Sequence, residues 1–148
     1  VTDKPLLDSI ASESICKIRE FDPQNLAITA WAWATLGLLH GPLLEAIAEA
    51  SIAKIRDFKS QELNNLAWAF ATLGVMNGPL MDAIASEALN KMRDFNPQDI
   101  AVTALSFARL EVANAPLMEA LAAAALRKMG ELQPQELANT SWAFAKLG

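Results

Sequence analysis

Apolar residues recur along this chain in two alternating patterns, and the alternation itself repeats every thirty-seven residues. The first pattern runs from Pro5 to about Glu20. Leu6, Leu7, Ile10, Ala11, Ile15 and Ile18 fall on one helical face there. Asp8, Glu13, Lys17, Arg19 and Glu20 occupy the opposite face, so an amphipathic helix with one solvated side is predicted. The second pattern opens at Asp22-Pro23-Gln24-Asn25, where a capping side chain is followed by proline at the first helical position. It closes at Leu36 and Gly37, with glycine supplying a left-handed stop. Its apolar arc is wider and holds Leu26, Ala27, Ala30, Trp31, Trp33, Ala34 and Leu36. The second helix is therefore predicted to be the more buried of the two.

The phrase Trp31-Ala-Trp-Ala-Thr-Leu-Gly37 returns as Trp68-Ala-Phe-Ala-Thr-Leu-Gly74, Leu105-Ser-Phe-Ala-Arg-Leu-Glu111 and Trp142-Ala-Phe-Ala-Lys-Leu-Gly148. Four units, 1–37, 38–74, 75–111 and 112–148, account for all 148 residues. A period of this length marks a solenoid, in which one supersecondary unit stacks on copies of itself. The expected fold is all-α, a superhelix of four helix-turn-helix repeats. Eight antiparallel helices form four right-handed pairs, with turns near residues 21–23 and 37–41 and at the same interval beyond. Proline opens the first helix of each unit at Pro5, Pro42, Pro79 and Pro116, where its missing N–H costs nothing. Two positions are alanine in every unit: Ala11, Ala48, Ala85 and Ala122, and Ala34, Ala71, Ala108 and Ala145. Small residues there let helices approach closely.

Composition narrows the function. Apolar residues make up 53% of the chain, much of it alanine, yet the longest apolar stretch, Leu26 to Leu39, is too short and too interrupted to span a bilayer. Cys16 is the only cysteine and sits on the polar side of its helix, so neither a disulfide nor a cysteine metal site is expected. His40, the single histidine, stands opposite Asp3, Asn77 and Asn114 in the turns between units and reads as a turn residue. With no Gly-rich phosphate loop, ligand cluster or nucleophile paired to a base, the expectation is a binding protein without catalytic residues, metal or cofactor. The chain starts at Val1 and lacks polar capping units, which predicts an excerpt of a longer array or a processed form. Val1, Leu6, Leu7 and Ile10 at one end, and Trp142, Phe144 and Leu147 at the other, are expected to be covered by further repeats, a partner subunit or another copy.

The run Phe-x-Pro-Gln-x-Leu-Ala-x-Thr-x-Trp-Ala-Phe-Ala-x-Leu-Gly, nearly whole in the first and fourth units, resembles the octotricopeptide repeat. Related helical-pair arrays occur in FAST-kinase-like and other organellar RNA-processing proteins. The resemblance implies a non-enzymatic protein of plastids or mitochondria that binds single-stranded RNA, each repeat facing about one nucleotide. Unit two departs from the run at Ser60 and Asn64-Asn65-Leu66, unit three at Leu105 and Glu111, and unit four at Gly130 and Leu132.

A polar stripe on the second helix holds the candidate contacts. Gln24, Gln61, Gln98 and Gln135 form a constant row that could reach a neighbouring backbone group or a ligand. Two rows vary: Ile28, Asn65, Val102 and Asn139, and Thr35, Thr72, Arg109 and Lys146. Variation suits recognition, and it equally suits exposed positions under no constraint. Asn65 and Asn139 could bond base edges, Arg109 and Lys146 could meet phosphates, and Ile28 and Val102 offer apolar contact. Charge points elsewhere. Seventeen acids against twelve bases leave a net charge of −5, whereas RNA affinity draws on phosphate neutralisation. Lys17, Lys54, Lys91 and Lys128 form a regular row, but acids flank it. Two readings stand: an RNA-binding organellar repeat protein, and a protein-binding scaffold or accessory subunit of an organellar assembly such as a ribosome or photosynthetic complex.

Overall fold

The computed structural model describes residues 3–148 as eight helices, with no strand among them. They are α1 (Lys4–Cys16), α2 (Pro23–Leu36), α3 (Gly41–Ala53), α4 (Ser60–Leu73), α5 (Gly78–Asn90), α6 (Pro97–Arg109), α7 (Ala115–Arg127) and α8 (Pro134–Leu147). The predicted turns fall where the sequence places them. The first helix is shorter than predicted, ending at Cys16 rather than near Glu20. A single 3-10 turn follows it in each repeat: Ile18–Glu20, Ile55–Asp57, Met92–Asp94 and Met129–Glu131.

Local chemistry accounts for the boundaries. Asp22 accepts from the Asn25 backbone N–H at 2.7 Å while Asn25 Oδ1 accepts from the Asp22 N–H at 3.1 Å, a reciprocal cap that starts α2. Asn96 and Asp99 repeat the arrangement at α6, at 2.7 and 3.1 Å. Where Lys59 and Gln133 replace the capping residue, only the returning half remains. Glu62 and Glu136 accept from their backbone N–H groups at 2.9 and 2.7 Å. The first helices are capped by Asp3, Asn77 and Asn114, and by His40, whose Nδ1 accepts from the Leu43 N–H at 3.1 Å. The histidine read as a turn residue is thus a helix cap, and its acceptor nitrogen fixes the proton on the other ring nitrogen.

The second helices form one row, α2 on α4 on α6 on α8, and the first helices a looser row beside it. Alanine makes the tight row possible: Ala30, Ala34, Ala67, Ala69, Ala104 and Ala108 are all buried there. The first and second helices of one repeat approach each other less closely than a second helix and the first helix that follows it. Second helices carry more buried residues than first helices in repeats one to three, as predicted. In the fourth repeat the order reverses, because α8 has a neighbour in its row on one side only and buries just Ala143 fully.

Lysine ties the repeats together. Lys54 Nζ donates to the carbonyl of Arg19 at 2.9 Å and to that of Phe21 in the repeat before it. Lys91 does the same to Arg56, at 2.8 Å, and Phe58, and Lys128 to Phe95 at 2.7 Å. These carbonyls lie at the end of a 3-10 turn, where backbone acceptors lack helical partners and a cation is favoured. The side chains of Phe58 and Phe95 are fully buried, so the residue that fills the core also presents its carbonyl to the next repeat. Lys54, Lys91 and Lys128 of the regular lysine row are therefore inter-repeat staples, and their charge is spoken for, while Lys17 pairs with Glu13 on its own helix.

A second cross-repeat link explains a departure from the repeat pattern. Asn64, where the first, third and fourth repeats carry alanine, donates its Nδ2 to Asp99 Oδ1 on α6. Burial pushes the Asp99 carboxyl up from its ordinary value. Hydrogen bonds from Asn96, Ser60 and Asn64 and the charge of Lys128 oppose that shift.

Candidate functional site

On a helix, residues at spacings of four, three and four fall on one face. Gln24, Ile28, Trp31 and Thr35 have that spacing on α2, and the same slots recur on α4, α6 and α8. Stacking the second helices side by side turns these slots into a surface four helices wide. Gln24, Gln61, Gln98 and Gln135 are all exposed along one margin. Among the described residues none of them bonds to a neighbouring repeat. The single bond they form is from Gln135 Nε2 to Asn139 Oδ1 on the same helix, at 3.4 Å. The constant glutamine is thus not an inter-repeat tie.

Next to the glutamines, Ile28 is exposed and Asn65, Val102 and Asn139 are half-buried. Gln24 and Ile28 meet Gln61 and Asn65 across a shallow groove between α2 and α4, floored by Ala27 and edged by Glu62. The structure therefore brings together candidates from adjacent repeats. Thr35, Thr72, Arg109 and Lys146 line the far margin, all exposed. Thr35 turns its hydroxyl back to the Trp31 carbonyl at 2.8 Å, and Lys146 pairs with Glu111 at 3.1 Å. Arg109 is the one cation of this margin with no ion pair or hydrogen bond among the described residues.

Sequence reasoning missed the middle of the surface. Trp31 and Leu36 belong to the wide apolar arc of the second helix, yet both are exposed, Trp31 at 45%. Trp142 is 47% exposed, and Trp68 and Leu105 in the interior repeats are half-buried. Trp31 and Trp68 approach with ring centroids 6.4 Å apart and planes tilted by 32°. Trp33, only two residues from Trp31 and so nearly opposite on the helix, is 6% exposed and meets the His40 ring edge-on at 5.7 Å. The recurrence of tryptophan at one slot was visible in the sequence. Its solvent-facing position was not.

The predicted end surfaces are partly as expected. Leu6 and Ile10 are 55% and 41% exposed, whereas their counterparts Leu43, Leu80, Leu117, Ile47, Ile84 and Leu121 are fully buried. At the other end Leu137 is 41% exposed where Leu26, Leu63 and Ile100 are buried. Leu7 and Phe144 are half-buried where Leu44 and Met81, and Trp33, Phe70 and Phe107, are buried, in line with the expectation, whereas Leu147 is half-buried just as Leu73 and Leu110 are. Val1 lies outside the described residues. Among the described residues no helix is long and apolar enough to cross a membrane.

The fold and surface define a class: an α-helical repeat protein whose second helices display an aligned row of glutamine, small polar or aliphatic, and aromatic side chains. Within that class the chain belongs to the RNA-editing substrate-binding complex 6 protein family, whose model matches residues 1–148. The octotricopeptide resemblance is not what the family comparison returns; the match is to a family named for an RNA-editing complex. A comparison with curated proteins finds no match.

Proposed function

We propose that this protein is a non-enzymatic subunit of an RNA-editing substrate-binding complex that holds single-stranded RNA against the face of its second helices. The observation that carries the reading is the groove in which Gln24 and Ile28 of one repeat meet Gln61 and Asn65 of the next. Amide side chains at that spacing can donate to and accept from the edges of unpaired bases. The family's name supports an RNA-related role and the resemblance of its repeats to octotricopeptide arrays supports the same use of the fold. Of the two organelles implied by that resemblance, the mitochondrion is the one that suits an RNA-editing substrate-binding complex. Anisotropy titration with a labelled single-stranded RNA at low salt tests the reading. Replacing Arg109 and Lys146 with glutamate is expected to weaken binding and flatten its salt dependence. No binding by the unaltered protein at low salt would sink the proposal.

Leu6, Ile10 and Leu137 support a second role within the same assembly. Each large apolar side chain left in water forgoes about 1.5–3 kcal/mol of burial, so these end faces suit coverage by further repeats, a partner subunit or another copy. Sedimentation of the isolated chain should show concentration-dependent association. A clean monomer at tens of micromolar that binds no hydrophobic dye would remove this second role.

A further inference from the structure

If RNA lies on this face, phosphate neutralisation cannot supply most of the affinity. The net charge is −5. Lys54, Lys91 and Lys128 are held by backbone carbonyls of neighbouring repeats, and Lys146 is paired with Glu111, which leaves Arg109 as the free cation of the candidate surface among the described residues. Single-strand binding combines a positively charged groove with aromatic side chains on which bases stack, the stacking worth about 1–3 kcal/mol per base, so where charge is scarce the aromatic contribution must carry the larger share. The exposed tryptophans lie in the middle of the face that carries the glutamines and asparagines.

We propose that Trp31 and Trp68 together form one base-stacking platform, that Trp142 forms a second, and that Leu105 interrupts the row between them. The inference rests on the RNA reading given above and specifies how the bases are held. Its geometry is restrictive. Bases in a stack are separated by about 3.4 Å, so a base sandwiched between two rings needs roughly twice that distance and parallel planes. The 6.4 Å between Trp31 and Trp68 is close to that separation, but their planes are tilted by 32°, so the pair offers one tilted surface rather than a parallel slot. The third repeat carries leucine at the slot and offers no π face. Helices in such rows are about 8–10 Å apart, so the strand crosses two helix spacings between Trp68 and Trp142 with amide contacts alone from Gln98 and Asn139. Trp33 is the internal contrast. It is the same residue type on the same helix, but it is buried against His40 and takes no part.

The test uses oligouridylate as the ligand and an abasic ribose-phosphate oligomer of equal charge as control. Trp31→Leu with Trp68→Leu installs the residue that the third repeat itself carries at this slot, so the fold tolerates it. Thermal melting of the variant checks that point, and Trp142→Leu alone provides an independent variant. Loss of stacking is expected to weaken oligouridylate binding roughly 5- to 100-fold while leaving the slope of affinity against salt unchanged. Leu105→Trp, which completes the row, is expected to strengthen binding. Indole emission should be quenched by oligouridylate and not by the abasic oligomer. If oligouridylate binds, but the leucine variants and Leu105→Trp bind as the unaltered protein does and emission is not quenched, the stacking inference fails and the RNA reading survives. Equal binding of the abasic oligomer would also overturn it. If the unaltered protein binds neither oligomer, both fall together.

Discussion

Lys91 and Lys17 occupy the same position of their repeats and have different fates. Lys91 is three-quarters covered, bridges to Glu87 at 3.3 Å and donates to two carbonyls of the preceding repeat. Lys17 is 59% exposed and pairs with Glu13 at 3.2 Å, one turn away on its own helix. Leu80 and Leu6 differ in the same sense, and so do Phe95 and Phe21, the first buried completely and the second half-covered. The comparison of interior with outer repeats shows where the stability of this array resides. A repeat's sequence is adequate to make helices, but its core positions become a core only when a neighbour is laid on them. The same side chain contributes in proportion to the neighbour it has.

Phenylalanine should show the largest difference. Phe95→Ala is expected to cost about 3–5 kcal/mol, because it empties a closed site and loosens the carbonyl that receives Lys128. Phe21→Ala is expected to cost about 1–2 kcal/mol. Urea unfolding of the two variants checks this, and equal losses would break the idea that neighbours set the value of a slot.

The lysines come next. Lys91→Ala removes a cation bonded to two carbonyls, worth about 2–3 kcal/mol, whereas Lys17→Ala should fall within about 0.5 kcal/mol of the unaltered protein. Lys91→Met separates the hydrogen bonds from the packing of the aliphatic stem. If it restored full stability, the staple would be a matter of packing alone.

The smallest effect concerns the turns that end the second helices. Gly37 and Gly74 adopt the left-handed conformation at φ 69°, and in the third repeat Glu111 takes it at φ 57°. For a residue with a β-carbon that conformation costs about 1–2 kcal/mol, partly offset by the greater freedom glycine has in the unfolded chain. Glu111→Gly is therefore expected to stabilise by about 0.5–1 kcal/mol, and Gly74→Ala to destabilise by about as much. Thermal melts of both decide it. A stabilising Gly74→Ala would mean that the turn relaxes and stores no strain.

Much of this molecule is legible in its sequence because the relevant forces are local. The thirty-seven-residue period, the proline and Asx starts of the helices and the glycine stops all act within a few residues, and each lies where the pattern put it. The constant alanines also read correctly in the interior repeats, since a slot that must admit a neighbouring backbone cannot hold a larger side chain. Periodicity fixes a residue's angle about its own helix, but it does not say which part of a wide apolar arc the neighbours will cover. Trp31 and Trp33 both belong to that arc. Only the stacking of α2 on α4 and the packing of α3 beside them left the first in solvent and buried the second. The lysine row looked like a solvated charge stripe because its acceptors are backbone carbonyls some thirty-five residues away, which carry no sequence signature. In the sequence Asn64 is a bare departure from the repeat, and only the fold sets Asp99 opposite it. Helix formation and termination followed from the order of residues, whereas the surface available to a ligand was decided by which faces the neighbouring repeats occupied.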